Sequence, residues 1–289
     1  MIWVLGAGRA GGTLSHLLAR RGLGVGGLVT RHPARAARLV TWCRAAGIAR
    51  PTITTDWRRL LEASIVLLAV PDDALPGVAR RLGDLARRQR EDGARPGRRP
   101  RVALHLSGAA PLSVLDPLAA AGHAVGSLHP LCVLPATRPP LDLLAGVAFA
   151  VAGQPAARRS AVRLARRLGG VPWHLPETSR LDYHLAAAVV ANDSVALVAL
   201  AIDRLRAAGL GAPTARRALA RLLLSTAQAL HATEPARALT GPVARGDAGT
   251  LRAHLRQARR VDPDLARLHG ELSRVLRNRV LSRRRRRST

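Results

Sequence analysis

Met1-Ile2-Trp3-Val4-Leu5-Gly6-Ala7-Gly8-Arg9-Ala10-Gly11-Gly12-Thr13-Leu14-Ser15-His16-Leu17-Leu18-Ala19-Arg20 is the stretch whose reading decides the fold. Residues 1–5 are an uncharged apolar run, Gly6, Gly8 and Gly11 keep the spacing G-x-G-x-x-G, and Leu14, Leu17 and Leu18 recur with helical period. That order reads as strand, tight turn, helix. In such a turn the first glycine permits the bend, the second lets backbone approach a pyrophosphate, and the third lets the helix pack closely on the strand. Free N–H groups at the helix start then face the phosphates, which makes Gly6, Ala7, Gly8, Arg9, Ala10 and Gly11 the candidate cradle. Glycine turns also occur where nothing binds; the strand before and the amphipathic helix after this one favour the binding reading.

Outward from this stretch the alternation continues. Leu23 to Val29 reads as a second strand, Ala34 to Ala46 as a helix with Ala37 and Val40 or Trp42 turned inward, and Ile65 to Val70 as a strand buried on both faces. Val102 to Leu106 is the next strand, and Val147 to Val151, a helix from Pro155 to Leu168 and Val171 to Leu175 add a further β-α-β step. The pattern predicts a doubly wound, mainly parallel α/β sheet. From Thr178 onward the patterns are helical, over Ser179 to Ala208, Thr214 to Ala232, Ala248 to Ala258 and Pro263 to Val280. The expected domains are 1–177 and an all-helical 178–289. Ala86 to Arg101 has no periodicity and reads as a solvated loop, and the run Arg283 to Arg287 as a polar tail.

Composition narrows the function classes. A chain of 289 residues, 48% hydrophobic, can bury a real core. Its net charge is +28 with no lysine, which excludes a Schiff-base lysine and raises the question of polyanionic partners. The arginines are spread along the whole chain and aromatic residues make up 2%, so the charge reads as compositional, with no specific nucleic-acid partner expected. The first residues already read as a strand, leaving no room ahead of it for a signal region. Leu185 to Ile202 is the longest apolar stretch; Asn192, Asp193 and Ser194 interrupt it, and it reads as a buried helix in a soluble, cytoplasmic protein rather than a membrane span. Cys43 and Cys132 lack metal-ligand spacing and read as reduced thiols.

The end of the second strand in such a sheet meets the adenine ribose, where a carboxylate selects NAD and a basic residue accommodates the 2′-phosphate of NADP. Here stand Thr30 and Arg31, with Arg35 a turn further on and no acid nearby, so NADP(H) is the expected cofactor.

Several fragments together, GAGRAGG, TRHPARAARL, LLAVPDDAL, HLSGA, GSLHPL, LDYHLAAAVVANDSVAL and LTGPVARGD, resemble the Rossmann-like proteins with a C-terminal DUF2520 domain. The resemblance runs from Met1 to about Leu255, and the family's second segment can be counted from about residue 127. The family is similar in architecture to pyrroline-5-carboxylate reductase, ketopantoate reductase and prephenate dehydrogenase. The resemblance implies an NADP-dependent oxidoreductase and a homodimer formed through its helical domain. The chain departs from the family pattern at Ala191, where serine is common, and at Asp193 and Ser194, where larger apolar residues are common.

Hydride transfer needs donors aimed at the oxygen where charge develops and an acid to deliver a proton. His184, Ala188 and Asn192 fall at i, i+4 and i+8, one helical stripe carrying an imidazole and an amide. The same pair also fits a core amide and a surface histidine. His129, in SLHPL, reads as a loop residue able to project its ring. Val70 and Pro71 would pass beside the ribose and Ser107 would touch the cofactor, while Thr240 and Arg245 would hold a small anionic substrate. Asp247 reads as a helix cap. Three functions compete: a reductase of a small keto or imino acid, ketopantoate among the possibilities; a non-catalytic NADP-binding regulator or interaction protein; and a nucleic-acid-associated protein, motivated only by the net charge and the terminal arginines.

Overall fold

The structure is a computed structural model that describes residues 1–92 and 101–282 and, within them, every side chain but that of Arg35. The chain divides into two compact units, 1–191 and 192–289.

The first unit is built on an eight-stranded sheet. In chain order it comprises β1 (Ile2–Leu5), α1 (Arg9–Arg20), β2 (Val25–Val29), α2 (Ala37–Ala45), β3 (Thr52–Thr54), β4 (Ile65–Leu68), α3 (Leu75–Glu91), β5 (Val102–His105), α4 (Asp116–Ala120), β6 (Ala124–Pro130), β7 (Ala148–Gly153), α5 (Pro155–Arg167) and β8 (Val171–His174). The sheet order is β3-β2-β1-β4-β5-β6-β7-β8, parallel throughout except for the antiparallel β6–β7 pair. Strand order reverses between β1 and β4, so a crevice opens at their carboxyl ends.

Period-two alternation explains why helices cover both faces. Ile2 and Val4 of β1 join Leu28, Leu67, Leu104 and Phe149 in one core, packed under Leu14, Leu17 and Leu18 of α1 and Leu164 of α5. Trp3 and Leu5 point the other way and join Val66, Leu68 and Ala103 beneath Leu75, Ala79, Leu82 and Ala86 of α3. Every residue of β1 and of β5 is buried. Such strands carry continuous apolar runs because neither face meets water.

Four expectations change here. Residues 86–91 are not loop: α3 runs on to Glu91 with Ala86 buried, and the arginines that hid its periodicity lie on the solvent face; residues 93–100 lie outside the described residues. In α2 the inward residues are Leu39, Trp42 and Cys43, whereas Ala37 is exposed. His129 stands on β6, paired opposite Ala150 of β7, because the antiparallel ladder fixes that backbone as strand. The fourth change concerns α6 (Arg180–Ala207), which was expected to be buried and is not: only Arg180 and Tyr183 are, while Leu185, Val189, Val190 and Val195 are exposed. By length and composition alone the segment Glu177–Ala207 is long and apolar enough to cross a membrane.

The helix α6 runs across the division of the chain. The second unit continues with α7 (Ala212–Ala232), α8 (Pro235–Ala238), α9 (Gly241–Arg245), α10 (Ala248–Val261) and α11 (Pro263–Val275), followed by a π-helical turn over Leu276–Leu281. Asp247 caps α10 by accepting from Thr250 N at 3.0 Å, as expected, and Asp262 caps α11 through Leu265 N at 3.0 Å. The arginine tail, 283–287, lies outside the described residues.

The glycine turn generates a paired test. A β-carbon on Gly11 would collide with the Gly6 carbonyl oxygen, whereas one on Gly8 would meet nothing within 4 Å. Gly11→Ala is expected to destabilise the first unit by about 2–4 kcal/mol in urea unfolding, and Gly8→Ala by less than about 0.5 kcal/mol. Equal losses would show that the two glycines do not divide their roles as the packing indicates.

Candidate active site

At the carboxyl end of β1 the chain turns through Gly6, whose φ of +111° is open only to glycine at little cost. A β-carbon there would strike the Ala69 carbonyl, just past β4, and would come within 3.5 Å of Val70. Gly8 is the N-cap of α1, has open space before it and leaves the first amides of the helix facing outward. This is the fit expected of a dinucleotide pyrophosphate: backbone tight behind the turn, room in front, and a helix dipole aimed at the space. Arg38 of α2 donates from Nη2 to the Ala7 carbonyl at 3.1 Å and lies over the Trp42 ring at 5.8 Å, placing a guanidinium beside the turn.

The next strand ends are tied to this one. Ser107, just past β5, donates its hydroxyl proton to Asp72 Oδ2 at 2.6 Å, and its oxygen accepts from the amides of Ala109 and Ala110 at 3.1 and 2.8 Å. A β-carbon on Gly108 would lie 3.0 Å from Nδ1 of His184 and 3.1 Å from Cε1 and Nε2 of His129. The two histidines therefore meet over a bare stretch of backbone. His129 Nδ1 is 2.6 Å from the Tyr183 hydroxyl, and their rings cross edge to face at 5.5 Å. Trp173 of β8 lies edge-on to the far side of Tyr183 at 5.7 Å.

Beneath this cluster sits buried charge. Arg180, in the first turn of α6, is almost fully buried; it donates to Glu177 Oε2 from Nε and Nη2 at 3.2 and 3.1 Å and to Ser127 Oγ at 3.2 Å. Glu177 also accepts from Leu112 N at 2.8 Å, which pins the start of α6 to the segment after β5. Burial lowers the His129 pKa to about 4, with His184 and Arg180 adding to the shift and Asp72 opposing it. Burial, then Arg180 and His129, lower His105 to about 3. Burial raises the Tyr183 phenol to about 12. At neutral pH the cluster thus holds a neutral imidazole against a neutral phenol.

Of the residues singled out in the sequence, the turn 6–11, Val70, Pro71, Ser107, His129 and His184 gather at the carboxyl ends of β1, β4, β5 and β6. Thr30 is buried at the end of β2, its hydroxyl accepting from His32 N at 3.2 Å, and Arg31 beside it is exposed. Arg35 stands in the 3-10 turn Pro33–Ala36, its side chain outside the described residues. Asn192, Thr240 and Arg245 belong to the second unit, where all three are exposed; Thr240 is the N-cap of α9 and Arg245 its last residue. Sequence reasoning passed over Tyr183, Asp72, Arg180, His105 and Arg38. Tyr183 carried a signal, being the only tyrosine in the chain and adjacent to His184.

The geometry defines a doubly wound α/β protein with a switch-point crevice and a titratable cluster at the neighbouring strand ends. Family models match a Rossmann-like domain over residues 1–130 and the domain of unknown function DUF2520 over residues 147–275, and the chain is a protein of that combined architecture. Among solved structures, one similar to it is a Bacteroides fragilis protein provisionally assigned as an NADP oxidoreductase. Identity to it is 23%, the match covers 96% of this chain and 98% of that one, and the TM-score is 0.74. Another is protein TM1727 from Thermotoga maritima, at 21% identity, 99% and 100% coverage and a TM-score of 0.70. A third is a pyrroline-5-carboxylate reductase from Coxiella burnetii, at 15% identity, 96% coverage of each chain and a TM-score of 0.59. At these identities the likeness is one of fold. No curated protein matches the chain.

Acid sensitivity follows from the buried histidines. His105, His129 and also His123, lowered to about 4 by burial beside Arg101 and Arg90, stay neutral in the folded state down to those values, whereas in the unfolded chain they protonate near 6.5. Between pH 6.5 and about 4 the unfolded state binds more protons, so stability is lost as pH falls through that window. Each group accounts for on the order of 2 kcal/mol between pH 7 and 5. Urea unfolding at the two pH values is expected to show the loss, with His105→Leu removing roughly a third of it. A stability flat between pH 7 and 5 would refute the neutral buried imidazoles.

Proposed function

We propose that the protein is an NADPH-dependent reductase of a small keto or imino acid, with ketopantoate among the substrates to test first. The observation that carries this reading is that the glycine turn and the His129–Tyr183–His184 cluster open onto the same strand ends, with Asp72 and Ser107 tying β4 to β5 between them. A bound nicotinamide supplies hydride chemistry; the chain supplies binding, orientation and proton control. The open N-terminus of α1 would hold the pyrophosphate, the exposed Arg31 would meet the 2′-phosphate, with Arg35 the second basic residue the sequence offers there, and Val70 and Pro71 would border the ribose.

The phenol of Tyr183, held protonated, donates to His129 Nδ1 and leaves the imidazole proton on Nε2. That N–H lies beside Gly108, where the missing side chain makes room for a substrate oxygen. A neutral imidazole donor polarises a carbonyl or imine without offering its own positive charge as a second acid. His184, exposed at the rim of the same space, is the group that exchanges protons with solvent and delivers one to the product. Ser107, committed to Asp72 and two amides, holds the backbone under the cofactor and is no nucleophile.

The same reading includes a homodimer through α6. An exposed helix face as apolar as Leu185, Val189 and Val195 is suited to a protein surface, and Asp193 near the middle of the segment would cost about 3 kcal/mol at a bilayer centre. A second copy covers the face without burying that charge in lipid. Sedimentation velocity is expected to give a dimer and Val189→Asp a monomer; a monomeric native chain would remove the dimer from the proposal.

The activity reading is tested by fluorescence titration with NADPH and NADH, followed by turnover with keto and imino acids. NADPH is expected to bind at least about tenfold tighter than NADH, with Arg31→Ala narrowing the gap. His129→Gln is expected to lower kcat/KM by about 10²–10³-fold, and Tyr183→Phe by about tenfold with NADPH affinity unchanged. Absence of binding by either nucleotide would overturn the proposal; binding without turnover on any acid would leave a nucleotide-dependent regulator.

A further inference from the structure

On the outer side of α1, away from the glycine turn, the segment after β6 runs along the helix and is pinned to it twice. Thr13 donates its hydroxyl to the Pro135 carbonyl at 3.4 Å, and Arg21 donates from Nη2 to the Leu141 carbonyl at 3.2 Å. Between the two pins the segment stands off and leaves a cavity of about 290 Å³ lined by His16, Arg20, Arg138, Pro139, Pro140 and Leu141. Thr13, His16 and Arg20 are three and four residues apart, so one helical face presents all three.

The lining is one-sided in charge. Two guanidinium groups and an imidazole face the space, no carboxylate lines it, and among the described residues neither arginine is in an ion pair. Asp142, next in sequence to the lining, is not part of it. His16 is 2% exposed, and its Nδ1 is buried without a hydrogen-bond partner. Trp42 meets the imidazole edge to face at 5.9 Å and fixes its plane. Burial, then the positive charges of Arg138 and Arg20, lower the His16 pKa, so the two guanidinium groups disfavour a third positive charge on the imidazole. Buried polar atoms are ordinarily paired, and a cavity that gathers donors without an acceptor is complementary to an anion.

We infer that this cavity is a phosphate site, separate from the dinucleotide crevice, in which Arg20 and Arg138 grip the oxygens of a phosphate dianion and His16 donates a third hydrogen bond from the floor. Guanidinium groups match tetrahedral oxyanions through paired N–H donors, and the cavity has room for a phosphoryl group with a small substituent. The ligand is either free inorganic phosphate or the phosphate of a small phosphorylated metabolite, which share the recognising chemistry.

The test follows the His16 ring in a proton–carbon correlation spectrum of the full chain at fixed ionic strength, titrated with inorganic phosphate, with glycerol 3-phosphate and with sulfate. A saturable shift of the His16 signal is expected with a dissociation constant in the millimolar range or tighter, weakened at least about tenfold by Arg138→Ala and by Arg20→Ala. Arg158→Ala, on the exposed face of α5, is expected to leave it unchanged and controls for the overall charge. Tighter binding of glycerol 3-phosphate identifies a phosphorylated metabolite, and tighter binding of inorganic phosphate identifies the free ion. A non-saturating shift shared equally with sulfate, an unmoved His16 signal, or equal losses in the Arg138 and Arg158 variants would overturn the site. The readout is independent of nicotinamide binding and of turnover, so it stands or falls apart from the proposed reductase activity.

Discussion

The packing of Gly11 against the Gly6 carbonyl is the contact on which the first unit depends. No side chain fits between the start of α1 and the turn that leaves β1, and a β-carbon at Gly6 would strike the Ala69 carbonyl beyond β4. Backbone lies on backbone at two places within one turn. That closeness brings the N-terminus of α1 over the carboxyl ends of β1 and β4, where strand order reverses, and so places a row of free amides beside a crevice. The remaining strands extend the platform: Asp72 and Ser107 join the ends of β4 and β5, and β6 carries His129 to the same edge.

Burial then sets the chemistry. A fully buried His105, a nearly buried Arg180 and the phenol of Tyr183 would be a costly group in an apolar interior if each were charged. The arginine keeps its charge because Glu177, half exposed, and Ser127 satisfy it, and the histidines around it stay neutral. The outcome is a polar cluster with a single buried cation and fixed hydrogen-bond directions. Such an arrangement needs little reorganisation when a polar substrate enters.

The core of the first unit was legible because its strands are buried on both faces, which forces continuous apolar runs in β1, β4 and β5 and leaves the glycine spacing between the first strand and its helix. What was not legible has separate causes. The edge strand β3 is three residues, two of them threonine, and gains its identity only from pairing with β2. The end of α3 was hidden because its solvent face is arginine and its buried face at that point is a single alanine. His129 reads as a loop residue because Gly126 lies three positions before it and Pro130 directly after it, and only the partner strand 20 or more residues on makes it extended. The pairing of His129 with Tyr183 spans 54 positions and has no local signature.

The helix α6 failed differently. A helix apolar on nearly every side has no amphipathic stripe to say which face is inward, so composition suggested a core position. Its first turn is in fact held by polar contacts, Arg180 to Glu177 and Ser127 and Tyr183 to His129, and the apolar stretch starts only beyond them. Tyr183 and His184 are therefore set on a segment fixed from below by the buried Arg180 and its half-exposed partner Glu177, while Leu185, Val189 and Val190, on the turns that follow, stay exposed. Covering that face would restrict the fraying and bending of the helix immediately after the two residues that complete the cluster. The hydrophobic surplus of α6 thus adjoins the residues that complete the His129–Tyr183–His184 cluster, and both lie on one continuous run of helical hydrogen bonds.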